Sequence, residues 1–93
     1  AGVMIEYIMI ENFTDLEEDL KALLEIEFEK NTYFNLIPLN GEMKIGNETY
    51  HASKLKRCEE FKQALRDKGY KCFIRYTMGE DIEAACGMLS QGE

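Results

Sequence analysis

Three cysteines are the residues of this chain best suited to chemistry, and their surroundings differ. Cys86 stands in "EAACGML", with two alanines before it and a glycine after it. Small neighbours leave room for something large to approach a thiolate, the nucleophilic form of cysteine. They equally suit a packed thiol, because free cysteine behaves as a small apolar side chain. Cys58 and Cys72 stand in the apolar patterns "LKRCEEF" and "KCFI", which direct them to a core. The three thiols are odd in number, widely spaced and without a C-x-x-C pair, which argues against a disulfide framework and against zinc. The single histidine, His51, adds no second ligand, so no metal site is expected and His51 reads as an ordinary surface or loop residue.

The elements that must position these thiols follow from the periodicity. "VMIEYIMI" (3–10) is a nearly continuous apolar run with the length of a strand covered on both faces. Asp15 and Glu18 form a D-x-x-E capping pattern ahead of Leu16, Leu20, Leu23 and Leu24 at helical spacing, in a helix expected to end near 28–30. "TYFNLIPL" (32–39) is a second strand with Pro38 at its end. The turn-rich "NGEMKIGNETYHA" that follows reads as a long loop, the place for backbone to meet a ligand. Ser53 is expected to cap a second helix presenting Leu55, Cys58, Phe61 and Leu65 on one face, closed by Gly69. "KCFIRY" (71–76) is a third strand, and Gly79 and Asp81 open a short final helix that carries Cys86.

The order β-α-β-loop-α-β-α is that of an α/β domain with a mostly parallel sheet and right-handed crossovers. With 93 residues, 45% of them hydrophobic, residues 1–93 are expected to form a single domain. Ligands of such sheets bind beyond the carboxyl ends of the strands. Three segments should share that rim: Glu11 to Asp15, Asn40, and the "TMGED" turn.

Composition narrows the function classes. No apolar run approaches the roughly eighteen residues a membrane span needs, and no signal peptide is recognisable, so a cytoplasmic location without membrane association is expected. Charge is uneven: 54–75 carries eight basic residues against three acids, while the rest of the chain carries three against fifteen. A basic helix on an acidic body could turn one face to phosphate, although the overall charge of -7 opposes nucleic acid through its bulk field.

These residues carry a resemblance. "EYIMI" with a downstream Asp, "FNLIPLN", "F...L...GY", "R..MGEDI" and "AACGML" resemble, over almost the whole chain, the C-terminal part of the radical-SAM RNA adenine methyltransferases of the RlmN and Cfr type. The usual family forms are close to E-Y-v-m-i, v-N-L-I-P-y-N-P, R-x-x-x-G-x-D-I and A-A-C-G-Q-L. The resemblance implies the last strands and helices of a partial (β/α) barrel. It implies methylation of an adenosine ring carbon in ribosomal or transfer RNA, with S-adenosylmethionine and a four-iron four-sulfur cluster as cofactors of the complete enzyme. By resemblance Cys86 is the methyl-carrying cysteine and Asn40 contacts S-adenosylmethionine.

The family's cluster motif, C-x-x-x-C-x-x-C, does not occur here, so the chain by itself is expected to hold no cofactor and to be inactive. Met88, Gly41 and Thr14 stand where the family has glutamine, proline and asparagine. Two other classes remain open on sequence: a non-catalytic RNA-binding piece built on 54–75, and a structural or assembly module. A homodimer through an exposed strand edge is expected for the isolated chain, because "VMIEYIMI" is long, apolar and singly charged.

Overall fold

The structure, a computed structural model, describes residues 2–76. Their elements are β1 (Met4–Met9), α1 (Glu17–Glu25), β2 (Tyr33–Pro38), β3 (Glu42–Ile45), β4 (Glu48–His51), α2 (Leu55–Asp67) and β5 (Lys71–Ile74). Strands β1, β2 and β5 form a parallel sheet in that order, the α/β arrangement expected from the sequence. The final helix expected to carry Cys86 lies outside the described residues.

Both crossovers step the same way across the sheet, so both helices land on one face. There Met9, Phe34, Leu36 and Cys72 from the strands meet Leu20, Cys58, Phe61 and Leu65 from the helices in one core. Phe61 is fully buried and stacks on Tyr7 at 6.1 Å, while Phe28, Phe34 and Tyr70 meet edge to face. Strand alternation sends the intervening residues to the opposite face. On central β2 they are buried, as at Asn35 and Ile37, whereas on edge strand β1 Met4, Glu6 and Ile8 are exposed. The expectation that the first strand is covered on both faces is therefore corrected: its continuous apolar run serves an edge with one covered face.

Helix α1 departs from expectation at both ends. Its N-cap is Leu16, with Asp19 accepting the Leu16 N–H at 3.0 Å, and Glu17, Glu18 and Asp19 suit the positive end of the helix dipole. It stops at Glu25, short of 28–30. "EIEFEK" places acids at the unfavourable C-terminal end, and Phe28 turns into the core, donating its N–H to the Tyr70 hydroxyl at 3.0 Å. Helix α2 begins one residue later than expected, with Lys54 as N-cap, because Ser53 is engaged elsewhere. Its end is as expected: Gly69, at φ +108°, donates to Arg66 O while Tyr70 N donates to Leu65 O, the paired bonds of a glycine-closed helix.

The stretch read as a loop is an antiparallel hairpin, β3 with β4, joined by Gly46-Asn47. Gly46 at φ +60° followed by Asn47 at negative φ gives the type II′ turn whose twist matches paired strands. The hairpin is tied to the body by the Ile10–Ala52 bridge and by Phe13 against Tyr50 at 5.1 Å.

Candidate functional site

The carboxyl ends of β1 and β2 lie side by side, fixed by Leu39 N and Ser53 N, which both donate to Met9 O. This brings two of the three segments expected on the rim together: the 11–15 turn and Asn40. The third, "TMGED", lies outside the described residues, and so does Cys86.

The turn after β1 is held by its side chains. Thr14 Oγ1 donates to Ile8 O and accepts from Ile10 N, each at 2.7 Å, and Tyr7 donates its hydroxyl proton to Thr14 O. Asn12 adopts φ +60°, a left-handed conformation that asparagine tolerates better than most residues. Asp15 is buried and accepts from Asn12 N through one oxygen and from Ser53 Oγ through the other. Arg57 donates to Asp15 O at 2.7 Å and pairs with Glu17 and Glu60, and hydrogen bonding to those carboxylates raises its pKa. Asp15, Glu17 and Arg57, with Glu11, Asn12, Leu16 and Lys54, line a depression of ≈ 310 Å³ on the rim.

Asn40 is exposed immediately beyond β2, with Gly41 next to it at φ +82°. Proline, held near φ -65°, cannot take that conformation, so the backbone after Asn40 follows a path that the family's Asn-Pro form would not allow. The other thiols are not placed for chemistry at this rim. Cys58 and Cys72 are fully buried; burial raises the Cys58 pKa and pushes Cys72 up to about 11, with Arg66 and Lys62 acting weakly the other way on Cys72. His51 is exposed on β4. Among the described residues no three His, Cys, Asp or Glu side chains converge as a metal site, and the two core thiols do not fit cluster ligands.

Four of the eight basic residues of 54–75 pair with acids of the chain itself. Lys54 pairs with Glu11, Lys62 with Glu59 and Lys68 with Glu27, beside the Arg57 pairs, and Arg66 donates twice to Cys72 O. That pairing weakens the case for a free phosphate-binding face.

One polar residue that sequence reasoning passed over stands on the open face of the sheet. Asn35, within "FNLIPLN", is an asparagine inside an otherwise apolar central strand, and that is the signal, because a buried amide needs partners.

The fold as a whole matches that of one class of protein. The chain superposes on a crystal structure of a radical SAM methyltransferase from Sphaerobacter thermophilus with a TM-score of 0.75 and 31% identity, covering 94% of this chain and 25% of that one. Curated relatives carry the name "Probable dual-specificity RNA methyltransferase RlmN". Those from Thermosipho melanesiensis, Clostridium novyi and Dictyoglomus turgidum are 41%, 39% and 37% identical over 87 residues. Each alignment takes in 94% of this chain and 24% of the relative, so the chain spans about a quarter of the length of the curated relatives it matches. No family model matches the chain. The resemblance to radical-SAM methyltransferases of the RlmN type holds at the level of both sequence and fold.

Proposed function

We propose that the chain contributes one part of the cofactor and methyl-carrier machinery of an RNA adenine methyltransferase, acting on ribosomal or transfer RNA. The observation that carries this reading is the rim, where the parallel register sets Asn40 beside the Glu11–Asp15 turn at the carboxyl ends of β1 and β2, in a chain alignable to RlmN-type relatives over 94% of its length. Ligands of parallel α/β sheets gather at that end.

In this reading S-adenosylmethionine supplies the methyl group, Asn40 offers its side-chain amide to that cofactor, and Cys86 carries the methyl as a thioether. The Thr14 and Asp15 hydrogen bonds hold the turn beside Asn40. Cys58 and Cys72 serve the core. The iron-sulfur cluster of the complete enzyme requires ligands beyond these side chains, so the chain by itself holds no cluster and transfers no methyl group. Cytoplasmic location goes with the RNA substrate, and among the described residues no helix is long and apolar enough to cross a membrane.

The test is titration of the isotopically labelled chain with millimolar S-adenosylmethionine, since weak, rapidly exchanging contact moves amide signals even where the isolated chain retains no cofactor. Amide shifts should cluster at 11–15 and 39–41, and Asn40→Ala should remove them. A wild-type titration that leaves the rim signals unmoved overturns the reading.

A further inference from the structure

The side chain of Asn35 points away from the core, since its neighbours Phe34 and Leu36 point into it. It is nonetheless only 8% exposed. Its Nδ2 donates to Met4 Sδ at 3.2 Å, but its Oδ1 is buried with no hydrogen-bond partner among the described residues. A buried carbonyl oxygen left unpaired costs about 1–3 kcal/mol, and an apolar side chain would avoid that cost. Among the described residues that oxygen remains an acceptor open to a partner of another kind.

The register supplies the rest of the site. Glu6 lies directly opposite Asn35 on one side, and Phe73 on the other. Strands in a sheet are about 4.8 Å apart. Two acceptors each about 2.9 Å from one nitrogen are separated by about 4.7 Å at the tetrahedral angle of an ammonium and by about 5.0 Å at the trigonal angle of an aromatic amine, both close to that spacing. A carboxylate and an amide oxygen side by side on adjacent strands thus have the spacing to share one nitrogen that carries at least two hydrogens. By register Met4, Ile8, Ile37 and Phe73 share this face with the pair, and the Arg75 guanidinium lies 5.4 Å from the Phe73 ring centre, a positive charge that an ammonium would feel more than a neutral amine. The Met4 thioether accepts from the nitrogen of that amide, on a flexible side chain that is itself 48% exposed and has other rotamers available.

We infer that Glu6 and Asn35 form a two-acceptor seat for the amino group of a small molecule, with Met4 as its movable cover. The inference rests on the functional reading above for its ligand: S-adenosylmethionine has two such groups, the ammonium of its methionine part and the exocyclic amine of its adenine. The shared chemistry is an N–H donor with two hydrogens to give, and the two sources differ in charge.

Three probes separate them in the labelled 93-residue chain: S-adenosylmethionine, L-methionine for the ammonium, and 5′-methylthioadenosine for the adenine amine. The Asn35 side-chain amide and the Met4 methyl signals should move and saturate with S-adenosylmethionine and with one of the two smaller probes. Asn35→Leu, which keeps the branched shape and the number of heavy atoms and removes the acceptor, should weaken that probe by about tenfold or more, the effect of one lost hydrogen bond to a polar or charged group. Glu6→Gln keeps an acceptor and removes the charge. Because Glu6 is exposed, this variant keeps the fold: it should weaken an ammonium by about tenfold and an adenine amine by less than about threefold. If none of the probes moves the Asn35 and Met4 signals, or if both variants bind like the wild type, the seat does not exist. Shifts confined to Asn40 and its turn would remove this inference and leave the functional reading standing; shifts at Asn35 with a silent rim would do the reverse.

Discussion

Ser53 Oγ donates to Asp15 Oδ2 at 2.7 Å, joining two buried side chains 38 residues apart. The bond ties the turn after β1 to the approach to α2, and it explains why neither residue caps the helix that follows it. Asp15→Ala should destabilise the chain by about 1–3 kcal/mol, since it strands the Ser53 hydroxyl and the Asn12 N–H together. Ser53→Ala should cost less, and the double variant should cost less than the sum, a coupling readable from urea unfolding of the four proteins.

Phe61 is fully buried between the sheet and Arg57, whose guanidinium lies 5.1 Å from its ring centre. Phe61→Ala should remove about 3–5 kcal/mol, enough in a domain of this size to abolish cooperative thermal unfolding. A sharp transition within a few degrees of wild type would contradict the core described for α2.

Thiol reactivity should follow burial. Cys58 and Cys72 should resist alkylation in the native chain while Cys86 reacts first, with mass mapping of partly modified protein as the readout. Modification of either core thiol ahead of Cys86 would remove the physical support for a carrier role.

The Cys72 pKa also fixes a pH dependence. Its folded value of about 11 lies above the ordinary 9.0, because burial disfavours the thiolate. The native state therefore holds the proton more tightly, and the resulting stabilisation is complete below pH 9 and lost as pH rises through 11. A shift of this size corresponds to roughly 2–3 kcal/mol. Cys72→Val should abolish that part of the alkaline loss in unfolding titrations, leaving the loss from Tyr7, whose pKa burial pushes up to about 12.

At Gly41 the family form offers a direct test. Gly41→Pro restores the usual Asn-Pro pair but demands a negative φ where the backbone stands at +82°. It should lower stability by more than about 1 kcal/mol and shift the amide signals of the hairpin and Asn40 together, instead of rigidifying the loop.

Strand β1 borders the sheet, and Val3, Met4 and Ile8 are exposed on or beside it. Sedimentation across a concentration series should show a dimer that Ile8→Lys dissolves. A strictly monomeric chain at high micromolar concentration would mean that the edge is already covered.

Local patterns in the sequence determined much of the fold. Short apolar runs marked three parallel strands, period-3.6 repeats marked two helices, and Gly69 marked the end of α2, because each rests on residues within a few positions of one another. Asn40 could be set at the rim for the same reason: it follows the strand whose end Pro38 announces. Tertiary structure decided what depends on residues distant in the chain. Asp15 and Ser53 looked like helix caps until packing offered each the other as a partner. The 40–52 stretch looked like a loop because the alternation of Glu42, Met43, Lys44 and Ile45 is only four residues long and stands among turn residues, and ladder pairing plus the Phe13–Tyr50 contact supplied what burial did not. Asn35 could be seen in the sequence as a polar residue in an apolar run, but its orphaned oxygen and its place opposite Glu6 exist only once the parallel register is set. Hydrogen-bond satisfaction is a property of neighbours in space, and the register alone decides who those neighbours are.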